Sequence, residues 1–557
     1  MRQPMRGVQL SARMTSVLGR EQTLRASVTI DRRSTARLGL GQYNLESRAY
    51  DTFTAERALR VAFGGPWGRQ RFTDSRLQMT WDGTRNVSAV EAPALQVLEA
   101  FAAGGAQVTG GARAFRLLAA TDIDHAQGAH AWRAGVLFEY DQHHSNRRTN
   151  YFGTYTFPSL AAYEAERPSF FTRRVGDARV DWADARAGAY VQDDYRLSRS
   201  VLLSYGARLE WQNLLGRGTS VLPRAALTWS PRTTGTPTLR TSAGTFRDWL
   251  APDVYERALT LDGVRLFDER IADPAYSTSG PASTARPAAR ERYELAPGLH
   301  PSMGAAASVS VDHRLSSEFR VSGAYSVRRG WGKLRGQNLN PIVDGQRVDD
   351  AWGNIIRAVD DAAVRAHVVT IQSMYTPSHR RLDAAGSYVL SAAHANSSGA
   401  FTVPPAAASP RSEWGPVGAR HAATVTLTGR TARWTVALTQ RWRSGQPYTI
   451  TEPDSADGLF NTRPPQARRN GAIGPAQWDL GARIAWSVGF AGDSEAGLPD
   501  DGPVGPRVRL EIVATIQNLA NQQRPLVIGG VVGSPLFGQP LATMPPRSTD
   551  IGKRLAF

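Results

Sequence analysis

The chain has 557 residues, no cysteine, and 66 Lys+Arg against 49 Asp+Glu, for a formal net charge of +17. The absence of cysteine excludes disulfides, thiolate zinc sites and Cys nucleophiles, and it suits an oxidising envelope compartment. No apolar run is long enough to cross a bilayer as a helix, although a membrane wall of alternating strands would show none either. The charge points to a polyanionic partner such as nucleic acid, lipopolysaccharide phosphate or an acidic ligand. Arginine is nevertheless spread evenly through the sequence, so an arginine-rich composition accounts for it equally well. The first ten residues, Met1 to Leu10, carry basic residues but no apolar run behind them. They do not form a secretory signal, so the sequence implies either a chain that is not exported or a start that lies upstream.

Strand-like stretches with alternating faces recur from end to end. Val8, Leu10, Ala12 and Met14 share a face, and Ala26, Val28 and Ile30 follow after a turn at Gly19. Leu59, Val61 and Phe63 lead through Gly64–Gly68 to Leu77, Met79 and Trp81. A weaker stretch near 112–122 precedes Trp132, Val136 and Phe138, which alternate with Arg133, Gly135 and Glu139. The clearest hairpin spans 186–212, where Leu203, Tyr205, Leu209 and Trp211 oppose Ser204, Arg208, Glu210 and Gln212. Phe319 to Arg328, Thr424 to Thr428, Trp434 to Arg443, Trp478 to Ser487 and Val508 to Gln517 repeat the design. Side chains alternate in a strand, so each stretch has one apolar and one polar face. Taken singly, any of them also suits a half-buried strand of a soluble sandwich or propeller.

Two patterns join the strands. Trp211, Trp434, Trp442, Trp478 and Trp486 sit near the ends of apolar faces. The spacing within each pair, at about 3.3 Å per residue on a tilted strand, approximates an apolar membrane band between aromatic girdles. Short links near 15–21, 65–70, 123–130, 197–200, 231–238, 313–317, 376–380 and 429–433 alternate with long polar ones at 31–56, 83–111, 141–185, 249–304, 329–364, 392–420 and 444–476. Membrane barrels alternate short turns on one side with long loops on the other, whereas a propeller repeats one blade length. The segment 489–506 breaks the rule as a long link on the short side. The expectation is an all-β transmembrane antiparallel β-barrel of roughly 19 strands, incomplete against a barrel of roughly 22.

The chain ends Arg547-Ser-Thr-Asp-Ile-Gly-Lys-Arg-Leu-Ala-Phe557, with Ile551, Leu555 and Phe557 on one strand face. This tail resembles the C-terminal assembly signal of bacterial outer-membrane barrels, with Lys553 a departure from an apolar position.

An ordered series of stretches resembles TonB-dependent outer-membrane receptors, specifically their Oar-like branch. It includes Tyr155–Tyr163, Tyr190-Val-Gln-Asp-Asp-Tyr195, Ser204–Glu210, Phe401–Pro405, Glu413–Pro416, Ser444–Thr449, Phe460–Pro465, Arg469-Asn470, Asn518–Asn521 and Gly533–Gly538. The resemblance implies energised import of a large nutrient such as a metal chelate, oligosaccharide or peptide. It makes residues 1–557 the barrel domain of such a receptor, with the N-terminal plug and first strands missing. The partners it implies are outer-membrane lipid and lipopolysaccharide, the barrel assembly machinery, and TonB if the intact protein has a plug. No cofactor and no catalytic group are expected.

The candidate lumen lining is Arg133, Arg208, Arg320, Arg441, Arg443, Arg483 and Arg509, a positive set suited to anionic solutes. Barrel interiors are polar in any case, and pairing with Glu210 or Glu511 across strands accounts for several of these arginines. Asp141, His143 and His144 could offer metal ligands, but adjacent histidines on an extended chain point apart, which favours a hydrophilic loop. Asp454, Asp457 and Asn461 around Gly458 resemble a calcium loop interrupted by Ala456 and Leu459. Alternatives to import are a surface-binding or structural barrel, a passive channel, and a soluble all-β binding or hydrolytic domain.

Overall fold

The computed structural model describes residues 3–556, apart from 20, 42, 217, 233–235, 279, 281–288, 379–380, 406–412, 454–457, 460 and 491–507. One sheet of 26 strands dominates it. Its wall consists of β1 (Met5–Leu18), β2 (Gln22–Leu38), β3 (Tyr50–Pro66), β4 (Arg71–Ser88), β5 (Val108–Gln127), β6 (His130–Thr149), β7 (Arg179–Arg196), β8 (Val201–Gln212), β9 (Thr219–Trp229) and β10 (Thr238–Asp248). It continues through β11 (Ser302–Arg314), β12 (Phe319–Asn338), β13 (Trp352–Tyr375), β14 (Leu382–Ala395), β15 (His421–Arg430), β16 (Trp434–Arg443), β17 (Gln477–Phe490), β18 (Val508–Gln517) and β19 (Ser548–Ala556). Each pairs antiparallel with the next in sequence. The strand count and the up-and-down order are those the alternation predicted. Among the described residues β1 pairs with β2 alone and β19 with β18 alone.

The sheet is curled. Glu99, in the connection after β4, accepts hydrogen bonds from the backbone N–H groups of Gly530 (2.6 Å) and Val531 (2.9 Å), in the connection before β19. Strands are about 4.8 Å apart, so a flat sheet would hold these connections tens of ångströms from each other. Asn461 Nδ2 likewise reaches the Val403 carbonyl (2.8 Å), across two long connections.

The long links are more structured than the sequence suggested. Strands Ala94–Val97, Thr154–Phe157, Phe170–Gly176, Leu266–Ala272 and Ala289–Leu295 extend the sheet within them. A helix at Leu160–Glu164, capped by the Ser159 hydroxyl, and another at Pro252–Thr260 lie there too. Apolar clusters bury Val97, Tyr155, Phe157 and Phe171 in one place and Leu215, Leu250 and Leu299 in another. β12 and β13 also run well into the link expected at 329–364. Lys333, Arg335, Asp360 and Asp361 there interrupt the apolar face, so hydrophobic alternation ends while the backbone ladder continues. The link at 489–506 lies outside the described residues apart from its first two positions.

Candidate functional site

Alternation sets the site's two surfaces. The apolar rows lie exposed on the outside: Trp211 (39%), Trp434 (49%), Trp442 (39%) and Trp478 (37%) are open to the surroundings, and Trp486 is half-buried. Among the described residues no second protein layer covers them. The opposite face carries the predicted arginines. Arg133 bonds Asp124 (Nη2–Oδ2 2.9 Å), Arg320 bonds Asp312 (Nε–Oδ1 2.9 Å) and Arg441 bonds Asp479 (3.3 Å). Arg443 donates to Gln477 (2.7 Å) and Arg483 lies 3.7 Å from Glu511. Arg208 pairs with Glu210 on its own strand, not across strands, because residues two apart share a face. Arg509 pairs through its backbone with Gly489 and Ala556. These arginines are distributed around the wall, and five of them, Arg133, Arg208, Arg320, Arg441 and Arg483, have a carboxylate partner.

A denser ionic group lies on the inner face of β5 to β8. Arg186 contacts Asp141, Glu139 (3.2 Å) and Asp184 (3.1 Å). Arg116 holds the other oxygen of Asp141 (2.9 Å), and Gln212 Nε2 donates to Asp184 (3.1 Å). Asp141 is thus committed to two guanidinium groups. His143 stacks on Trp182 at 4.0 Å between ring centroids, while His144 Nδ1 lies 2.6 Å from Asp181. The three residues face different partners, and they lie on β6, not in the hydrophilic loop the sequence favoured, because the ladder with β5 and β7 continues past the apolar stretch. Among the described residues no group of three or more metal-binding side chains converges. Asp454 and Asp457 lie outside the described residues, and Asn461 is bonded to the Val403 carbonyl.

The site that sequence reasoning missed lies at the long-link end. A cavity of about 360 Å³ is lined by Arg335, Phe401, Glu413, Asn461, Arg463 and Arg469, among others. Arg463 and Glu413 form an ion pair whose side chains are 6% and 12% exposed. The second terminal nitrogen of Arg463, Nη1, is buried and has no hydrogen-bond partner among the described residues. Arg469 donates to the Glu413 carbonyl (2.8 Å), the Ser398 hydroxyl (2.8 Å) and the Ala395 carbonyl. Burial pushes its guanidinium below the ordinary value. Arg335 is held by Asp361 (2.9 Å). Among the described residues the cavity therefore presents one buried guanidinium nitrogen without an acceptor, a costly arrangement unless something meets it. Apart from Arg335, the lining residues named here come from the stretches 401–405, 413–416, 460–465 and 469–470, each legible as a motif but not as a group.

Residues 52–220 match the model of an outer membrane beta barrel domain. No curated protein matches the sequence. Among solved structures, the outer membrane transporter YddB from Escherichia coli superposes with a TM-score of 0.65 at 10% identity, over 98% of this chain and 68% of that one. A variant of the ferric enterobactin receptor PfeA from Pseudomonas aeruginosa gives 0.62 at 14% identity, over 100% and 70%. The FrpB iron transporter from Neisseria meningitidis gives 0.60 at 11%, over 99% and 72%. The fold is that of an outer-membrane β-barrel. In the β16–β17 ladder Trp434 stands opposite Trp486 toward the short-link end, and Trp442 opposite Trp478 toward the long-link end. Ile551 (74% exposed) and Leu555 (51%) continue the barrel's outer row on β19, opposite Ala514 and Leu510, whereas Phe557 lies outside the described residues.

Proposed function

We propose that this barrel is the membrane wall of a TonB-dependent receptor, and that it captures a large nutrient at the cavity beneath its long connections. The observation that carries the reading is the buried, half-paired Arg463 at the outer mouth of a transporter-like barrel. With Nη2 held by Glu413, the Arg463 guanidinium offers Nη1 to a carboxylate, phosphate or carbonyl oxygen. Energised release requires TonB acting through a plug, so import belongs to the barrel together with such a domain. The nutrient class, the Oar-like assignment and the contacts with the assembly machinery are part of this proposal. The lumen arginines serve it as a polar passage in which five are paired with carboxylates.

The test is uptake by cells carrying the intact gene. Accumulation of the nutrient should stop on collapse of the proton gradient or loss of TonB, and Arg463→Ala should raise the half-saturating concentration at least ten-fold. Uptake that persists without TonB, together with conductance of the purified chain in planar bilayers, would make it a passive channel. Binding without uptake would make it a surface receptor.

A further inference from the structure

We propose that the outward face of β1 to β5 carries a binding site for a phosphorylated glycolipid of the outer leaflet, lipopolysaccharide's phosphate-bearing headgroup. Two rows of cross-strand partners make the site. The first runs Arg6, Ser34, Phe53, Arg85, and the second Val8, Arg32, Ala55, Gly83, Arg113. Partners in a ladder share a face, and this face is the one bearing the exposed Leu10, Val28 and Trp81. The row directly below reads Leu10, Ile30, Arg57, Trp81, Phe115, with Trp81 and Phe115 in ring contact at 5.4 Å. Arg57 lies within this apolar row, and the four arginines of the rows above it stand on the side of the long connections, toward the level where lipid phosphates lie.

Arg6, Arg32, Arg85 and Arg113 are all exposed, and among the described residues no carboxylate lies within 4.0 Å of their nitrogens. This sets them apart from the inner-face arginines, most of which are paired. The nearby acid Asp181 is taken by His144. Between the four arginines is a groove of about 480 Å³, floored by Ala55 and Gly83 and flanked by Phe53. A methyl group added at Gly83 has a single neighbour within 4 Å, the Ala55 carbonyl oxygen at 3.9 Å. The protein's own packing does not need the glycine. What its absent side chain leaves is a hollow ringed by cations and open to an acyl chain from below. A soluble anion has no use for a groove with an apolar lower edge, whereas a lipid phosphate fits both parts. The inference stands independently of what the barrel imports.

The test uses the full chain, folded and purified in detergent, titrated with diphosphoryl lipid A and read by native mass spectrometry. The parent should retain one lipid, and removal of both phosphates should abolish retention. Each arginine near an anionic lipid surface contributes about five-fold, so Arg32→Gln, Arg85→Gln and Arg113→Gln together should weaken binding on the order of 100-fold. Gly83→Phe should weaken it with every arginine in place, which keeps the test open if the triple variant does not fold. Arg60→Gln with Arg76→Gln, on the inner face, should leave it unchanged. Binding by the triple variant within three-fold of the parent, an equal loss in the inner-face variant, or displacement by inorganic pyrophosphate at the lipid's own concentration would each overturn the proposal.

Discussion

Replacing Arg186 with alanine should destabilise the barrel far more than replacing Arg133, although both belong to the inner face. The Arg186 side chain is 18% exposed and is the shared partner of Asp141 (3%), Asp184 (1%) and Glu139 (22%). Its removal leaves buried carboxylates with less compensation. Breaking a buried pair costs about 3–5 kcal/mol, and the surviving bonds from Arg116 and Gln212 place this case near ~3 kcal/mol. Arg133 and Asp124 are 56% and 37% exposed, so their pair is worth about 0–1 kcal/mol. Guanidinium titration in micelles, followed by tryptophan fluorescence, measures both against the parent. Adding Asp184→Asn to Arg186→Ala should recover part of the loss, because one stranded charge disappears. Equal midpoints for the two single variants would refute the claim that burial, and not charge count, sets the worth of these pairs.

Leu438→Arg should cost about 2–4 kcal/mol at the middle of the outer apolar band, and Thr439→Arg, one residue on, should be nearly neutral; the same titration decides it. Burial pushes the Glu291 carboxyl above its ordinary range, so the folded chain holds that proton more tightly than the unfolded one. Its contribution is complete below the ordinary carboxylate pKa and is lost as pH rises through the raised value. Glu291→Gln should therefore stabilise the surrounding connection at pH 7 and change little at pH 4, as hydrogen exchange of residues 289–295 would report. Glu413→Ala should strand the buried Arg463 guanidinium, while Arg469 keeps its bond to the carbonyl of residue 413, at a local cost of about 2–4 kcal/mol, seen as faster exchange across 461–470.

Strand number, order and facing were legible because a curled sheet between lipid and water repeats one rule: apolar out, polar in. Trp434 to Arg443 states that rule in ten residues. Legibility stopped where the rule does. Beyond the apolar band β12 and β13 continue through Lys333, Arg335, Asp360 and Asp361, whose polarity on both faces looks like a loop. The cavity was hidden for another reason. Glu413, Arg463 and Arg469 meet because separate connections fold over one another, and no local period encodes that. The outward arginines were hidden by expectation, since Arg32 and Arg85 fall in the segments 31–56 and 83–111, whose polarity looked like that of long links.

The clasp between Glu99 and the backbone of Gly530 and Val531 joins positions separated by as many as 432 residues. Closing so long a loop costs only logarithmically more than closing a short one, but it cannot happen before the intervening hairpins have zipped in sequence. The contact is thus a timekeeper: it registers that synthesis and pairing are finished. A chain stalled midway would show every early hairpin formed and this one fastening undone, with its mouth still gaping to proteases.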